Sequence, residues 1–378
     1  MPLGGQAQVI AGQSPEGKFY NKVGRGLPFY QGKKDFGDHE LLPASTWTAQ
    51  STKEALPGDI LMSVRAPVGP INFAREQVCI GRGLAAIRCR DGLIPEFLYY
   101  QLLGLQDQIA GKEGAVFASI NKAEIEALPI VVPSLPEQRR IVAILDEAFE
   151  GIATAKANAE KNLQNARGVF NEHLLSVLRD KKWVWKALGD LCNSVEYGSS
   201  AKSKAESGIP VVRMGNIQDG RLDWRNLVFT DNTEEIKRYQ LNHNDVLFNR
   251  TNSPELVGKT AIYKSERPAI FAGYLIRIHR KEDQLDADFL TYFLNSQIAS
   301  DYGKTVVISS VNQANINGTK LKSYPIPVPP LSAQKTIVSK LIELENATQR
   351  LAQIYSQQLT ALDELKKSLL HQAFSGQL

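Results

Sequence analysis

The sequence has little of what most enzyme chemistry requires. Its 378 residues hold three cysteines, Cys79, Cys89 and Cys192, with no Cys-x-x-Cys pair, so neither a disulfide framework nor a structural zinc site is expected. The five histidines, His39, His173, His243, His279 and His371, are scattered and form no metal-ligand spacing with acids or cysteines. No metal or catalytic residue is therefore assigned. No run approaches the ~18 apolar residues of a membrane span. The start, Met1-Pro2-Leu3-Gly4-Gly5-Gln6, has neither the cationic head nor the apolar stretch of a signal peptide, and a cytoplasmic location is the expectation. Charge of one sign is also scarce. With 44 Lys and Arg against 40 Asp and Glu, the net charge is only +4, so a nucleic-acid partner would have to be met by a local patch.

Recognisable catalytic motifs are absent too. There is no Gly-x-Ser-x-Gly elbow and no Pro-Asp dipeptide of the common nuclease type. Ser253 to Thr260 nearly spells a phosphate-binding loop, but serine replaces its first glycine and Pro254 removes an amide the phosphate nest would need. Gly81-Arg82-Gly83-Leu84-Ala85-Ala86 fits a dinucleotide fingerprint loosely, yet the residues after it read as a strand and not as a helix.

What is present is a repeat. Leu3-Gly4 returns as Leu188-Gly189, Gly26-Leu27-Pro28 as Gly208-Ile209-Pro210, and Asp59-Ile60-Leu61 as Asp245-Val246-Leu247. An arginine follows in each copy, Arg65 or Arg250, and then Val68-Gly69 or Val257-Gly258. Phe97-Leu98 returns as Phe289-Leu290, and Ser119-Ile120-Asn121 as Ser310-Val311-Asn312. Pro129 to Pro133 returns as Pro325 to Pro329, and Gln138-x-x-Ile141-Val142 as Gln334-x-x-Ile337-Val338. The offset drifts only from 182 to 196 and every match keeps its order.

Each copy opens with short segments rich in Val, Ile, Phe and Tyr, broken by Gly, Pro and Asn, which read as strands and turns. Gln77–Ile80, Ala85–Arg88 and Tyr274–Ile278 are examples, with helices expected near Pro95–Gln108 and Asp288–Tyr302. The fold class is α+β. A proline hinge ends each head, at Pro133 or Pro329-Pro330, because proline neither continues a ladder nor enters a helix interior. A long helix then follows, with Ser134-Leu135-Pro136-Glu137 in capping-box form at the first. Its apolar residues, among them Ile141, Leu145, Ile152, Leu163 and Phe170, step by three and four. The second helix repeats the pattern through Ile337, Leu341, Leu351, Leu362 and Leu369. A seam this narrow is best buried against a similar helix, so an antiparallel coiled coil is expected, although each helix could instead pack on its own head. At 1.5 Å per residue each would be on the order of 60 Å long. The domain reading is 1–133 for the first head, 134–182 for the central helix, 183–330 for the second head and 331–378 for the C-terminal helix.

With these residues the chain resembles the specificity subunit of Type I restriction–modification enzymes. The resemblance is carried by Gly58 to Arg65, by Asn249-Arg250-Thr251-Asn252 with Glu255 to Lys259, and by the hinge-to-helix passages Pro129 to Glu147 and Pro325 to Leu341. The first copy departs by lacking an aromatic lead-in like Trp183-Val184-Trp185, and the second hinge lacks the capping acid. The resemblance implies two target recognition domains that each read half of a bipartite DNA site. It also implies spacer helices that dock two modification (adenine methyltransferase) subunits and, for cleavage, restriction subunits. S-adenosylmethionine, ATP and magnesium would belong to those partners, and the chain itself would be a non-catalytic part of a deoxyribonuclease and methyltransferase complex. Two similar heads about a pseudo-two-fold axis suit double-stranded DNA, and heads of different sequence suit an asymmetric site. Arg65, Asn121 and Lys122 in one copy, and Arg213, Asn216, Arg250, Asn252, Lys259, Asn312 and Gln313 in the other, are candidates for base contact. Lys18, Lys22, Lys33 and Lys34, with Lys202 and Lys204, are candidates for phosphate contact. The alternatives are a specificity subunit of a methylation-only complex and a coiled-coil scaffold that docks proteins.

Overall fold

The computed structural model describes residues 1–110, 119–203, 207–310 and 313–378. The chain divides into two units, Met1–Glu160 with Ser356–Leu378, and Lys161–Tyr355, and each is built around one copy of the repeat.

In the first unit the alternating apolar segments form a four-stranded antiparallel sheet, ordered Ala7–Ala11, Leu84–Cys89, Ile60–Ser63 and Ile71–Phe73. The second unit has the same sheet in the same order, from Cys192–Tyr197, Leu275–Arg280, Val246–Asn249 and Thr260–Ile262. Beside it in each unit lies a second sheet containing one parallel pair, Leu27–Tyr30 with Val78–Ile80, or Ile209–Val212 with Ile270–Phe271. The Gly-x-Pro that opens this sheet is glycine for a steric reason. Gly26 and Gly208 have φ of +89° and +110°, and a Cβ at either would collide with the carbonyl of Thr48 or Thr230.

The helices expected near Pro95–Gln108 and Asp288–Tyr302 are each split in two. They run Pro95–Gly104 and Gln106–Ala110 in the first unit, and Ala287–Leu294 and Gln297–Val306 in the second. The break in the second has a chemical cause. The Asn295 side chain leaves the helix to bond Thr260 on the neighbouring strand, and Ser296 caps the next helix through Ala299 N–H.

The two long helices are Leu135–Leu178 and Leu331–Ser375. In the first unit Ile141 and Leu145 share a core with Leu370 and Ala373, together with Phe97, Ile60 and Met62 of the head. In the second, Leu174 and Leu178 share one with Val338 and Leu341, together with Phe289 and Phe248. The beginning of one helix therefore packs on the end of the other, the antiparallel pairing of the coiled coil, and an ion pair of 2.6 Å between Lys156 and Asp363 crosses it. Both helices also close the heads, so packing on a partner helix and packing on a head occur together.

The buried seam differs from the expected one on the second helix. Leu351 and Leu365 are 42% and 48% exposed, whereas Val338, Leu370 and Ala373 are buried. A 3.6-residue helix turns away from a 3.5-residue repeat by ~20° per heptad, which carries a strict four–three pattern off the inner face. Of the ten seam residues assigned to subunit docking, Ile141, Leu145, Ile152 and Leu341 are buried within the chain. Leu163, Phe170, Ile337, Leu362 and Leu369 are half-buried, and Leu351 is exposed. The four buried side chains are spent on the chain's own core and offer a partner no surface.

Each long helix is tied to its head by a glutamine in its first turn. Gln138 is fully buried; its Oε1 accepts from Ile94 N–H at 2.8 Å, and its Nε2 donates to Gly92 O at 2.8 Å and Pro133 O at 2.9 Å. Gln334 repeats the arrangement, accepting from Asp286 N–H and donating to Gln284 O and Pro329 O, each at 2.8 Å. The Glu137 carboxylate, expected to turn back on the helix cap, is held instead by Arg140. Gln138→Ala or Gln334→Ala would remove a buried side chain and deprive one N–H and two carbonyls of their partners, a loss of about 1–3 kcal/mol. Urea unfolding of the full chain measures it, and an unmoved midpoint would show that these amides hold nothing.

Candidate nucleic-acid interface

The aspartate of each Asp-hydrophobic-Leu motif is part of the scaffold. Asp59 is buried, accepts from Leu56 N–H at 2.8 Å and takes Arg88 Nε and Nη2 at 2.9 and 2.7 Å. Asp245 likewise accepts from Asn242 N–H and pairs with Arg277 at 3.0 Å. The second unit extends the pair. Arg277 also meets Glu196 at 2.6 Å, and Glu196 accepts from or pairs with His279 at 3.0 Å. Burial pushes the Glu196 carboxyl up, but hydrogen bonds and charge from Arg277 and His279 outweigh it and hold the pKa below its ordinary 4.5. A depressed carboxyl stabilises the fold fully above its unfolded value, and that stability is lost as pH falls through the folded value. Stability should therefore drop on acidification below about 4.5, and Glu196→Gln should flatten that part of the profile. Unfolding midpoints measured from pH 7 to 3 would show whether the two profiles diverge.

These ion pairs fix the register of the central strands, and the register separates the two arginines. Val64 N–H donates to Gly83 O and Val64 O accepts from Ile120 N–H; Arg250 makes the same two bonds with Tyr274 and Ile316. Arg250 thus occupies the place of Val64, and Arg65 stands one residue further along, where the second copy has Thr251. The matched appearance of the two arginines in the sequence does not survive as a structural match. Arg65 is exposed and its backbone bridges to Ser119. Arg250 is half-buried, lies 4.9 Å from the Tyr197 ring centroid, and donates to Gly273 O at 3.3 Å. Tyr197 had no signal in the sequence, since only the strand pairing puts it under the guanidinium.

The asparagines separate in a similar way. Asn121 caps the helix Lys122–Glu126 with a full capping box, and Asn317 caps Gly318–Lys322 by accepting from Lys320 N–H, without the reciprocal acid. Asn317, at the offset of 196 shared by Pro129 and Pro325, is the counterpart of Asn121. Asn312 lies outside the described residues, as does Lys204. Asn216 is 4% exposed, and its amide donates to Asp223 O and Arg225 O at 3.0 Å while accepting from Arg213 N–H. That amide is spent on its own turn and is out of reach of a base edge. Asn252 is half-buried and accepts from Ser253 N–H, and Gln313 pairs with Ser310 at a strand end.

Among the candidate cations, Lys33 and Lys34 project from the turn Lys33–Asp35, and Lys22 and Lys202 are exposed in loops. Lys18 is paired with Glu16 at 2.6 Å and Lys122 with Glu126 at 3.5 Å. Arg213 is exposed and donates to Asn226 O at 2.9 Å. Lys259 is half-buried beside strand Thr260–Ile262, so the near phosphate-loop sequence leads into a strand and not into a helix. No group of three metal-binding side chains occurs among the described residues, and no described helix is long and apolar enough to cross a membrane.

Arg65→Ala should change stability by less than about 0.5 kcal/mol, because the side chain is exposed. Arg250→Ala should cost about 1–2 kcal/mol, for the lost ring contact and hydrogen bond. Equal effects in urea unfolding would contradict the difference in register.

The family described as Type I restriction modification DNA specificity domain matches residues 2–164 and 180–361. A putative type I restriction enzyme MjaX specificity subunit from Methanocaldococcus jannaschii is 38% identical over 171 residues, 45% of this chain and 40% of that protein. The EcoKI specificity subunit of Escherichia coli is 27% identical over 284 residues, 70% of this chain and 61% of that protein. The chain thus spans between 40% and 61% of the length of these curated relatives. Among solved structures, a chain from work on complex assembly and conformational transition of the type I R-M system superposes with a TM-score of 0.81 at 19% identity, covering 100% of this chain and 97% of that one. The HsdS subunit from Thermoanaerobacter tengcongensis gives 0.64 at 19% identity, covering 100% and 96%. Those two likenesses speak for the fold. With the family matched in both copies of the repeat, the chain belongs to the Type I restriction–modification DNA specificity family.

Proposed function

We propose that the chain is the DNA-sequence specificity subunit of a Type I restriction–modification complex and reads an asymmetric bipartite site, one half with each recognition domain. The observation that carries this reading is one sheet order, one ion-paired aspartate and one glutamine clamp built twice, beneath loops that differ. A constant scaffold under unlike loops suits two unlike half-sites, because base readout lies in loop side chains and DNA shape and not in the core. The exposed cations Lys33, Lys34, Arg65 and Arg213 are the contacts we assign to DNA. Chemistry belongs to partners in this reading. Two modification subunits bring S-adenosylmethionine and methylate adenine, and restriction subunits bring ATP and magnesium. Those partners meet exposed helix residues such as Val169, Ile342 and Ile354, and the chain works in the cytoplasm.

Genome-wide methylation sequencing of the host, with and without this gene, is the test. One interrupted, asymmetric motif should lose its methylation when the gene is removed. Arg65→Ala should relax one half of that motif and Arg213→Ala the other, with each base contact worth about 1–3 kcal/mol. A methylome unchanged by deletion would sink the reading. Even weakening of every sequence, with a shallower salt dependence, would move these arginines from bases to phosphates.

A further inference from the structure

In one place the first copy of the repeat is filled with rings and the second is hollow. In the first unit Phe73 and Tyr99 are stacked, ring centroids 4.8 Å apart, and His39 lies against them at 5.1 and 4.5 Å. Beside them Tyr100 meets Phe149 edge-on at 5.3 Å. The backbone identifies the counterparts in the unit Lys161–Tyr355. Phe73 pairs with Ile60 and donates its N–H to His39 O; Ile262 pairs with Val246 and donates its N–H to Gly220 O. The glutamine clamps set the helices in register, Ile94 with Asp286 and Gln138 with Gln334. Thr291 therefore stands for Tyr99, Tyr292 for Tyr100 and Glu345 for Phe149. Where the first unit has the rings of His39, Phe73, Tyr99 and Phe149, the second has Gly220, Ile262, Thr291 and Glu345.

All four of these replacements line a cavity of about 830 Å³, with Leu174, Ile217 and Leu222 and the rings of Phe170, Trp224 and Tyr292. Apolar and aromatic walls with a few polar groups, at this volume, are the usual form of a small-molecule site. Most of the polar groups are already committed. Glu345 accepts from Tyr292 Oη at 3.0 Å and from Arg221 at 3.3 Å, Lys264 is paired with Asp288 at 2.8 Å, and Asn295 is bonded to Thr260. Two lining charges have no ion pair to a described residue, Asp219, which is exposed, and Lys259, which is half-buried. Water serves the exposed carboxylate, whereas the half-buried ammonium gains more from an anion brought to it.

We propose that this cavity binds a small planar aromatic molecule with an acidic substituent. Its ring takes the space that His39, Phe73, Tyr99 and Phe149 fill in the first unit, and its anion meets the Lys259 ammonium. The first unit is the template, since the same strands and helix there pack ring on ring. The site lies within one unit and is independent of whether the chain reads DNA.

The test uses the full chain with 2-naphthoate and its neutral isostere 2-naphthamide. Calorimetry should show saturable binding of one naphthoate per chain, and binding to the unaltered chain should shift the methyl resonances of Ile262 and Ile217. Thr291→Tyr, which restores a ring of the first unit, should weaken both ligands at least tenfold. Ile262→Phe, a smaller filling, should weaken both at least threefold, and thermal melting checks that each variant is folded. Lys259→Met should weaken naphthoate at least fivefold and leave naphthamide unchanged. Absence of saturable binding to the unaltered chain would overturn the proposal, as would binding that moves neither methyl. So would undiminished binding by the folded ring variants, or naphthoate held equally well by Lys259→Met.

Discussion

A buried carboxamide in the first turn of each long helix is the constraint on which the rest depends. Gln138 and Gln334, each with its side chain fully buried, complete three main-chain groups, one in the loop before the head's helix, one at that loop's preceding carbonyl and one at the proline hinge. A helix that slid or rotated would break all three bonds at once and leave the buried carboxamide without partners. The clamp therefore makes the helix and head of one unit a single body. It also takes up a carbonyl of each proline hinge, Pro133 O or Pro329 O.

On that frame the two units have diverged in a graded way. The core sheet keeps its strand order, and the aspartate–arginine pair under the central strand keeps its partners. Around it, the second unit joins Glu196 and His279 to the pair and carries a helix at Thr233–Tyr239. Change accumulates where side chains face loops, and is resisted where a carboxylate or amide would lose a buried partner. Two recognition domains with unlike loops on one architecture follow from that gradient.

The arginines illustrate how a small register difference changes the meaning of a residue. Both follow the same short motif, yet Arg65 is exposed, whereas Arg250 takes the inward place of Val64 and lies over Tyr197. Successive strand residues point to opposite faces, so an offset of one exchanges a surface residue for a packed one. The asparagines give the same lesson, since Asn121 and Asn317 are equivalent caps although the nearest likeness in sequence was Asn312.

The sequence by itself determined the repeat, the α+β class of the heads, the two long helices and their antiparallel pairing. These rest on local order: matched motifs at a steady offset, a period near 3.5 and proline hinges each register in a few neighbouring residues. The absence of a recognisable catalytic motif was legible in the same way. The tertiary structure decided which seam residues are buried, which asparagines are caps and which is bound in its own turn, and which arginine is packed. It also decided that Gln138 and Gln334, one more repeated letter in the sequence, hold each helix to its head. Burial and hydrogen-bond partners are set by residues tens of positions away, and no local pattern carries that information.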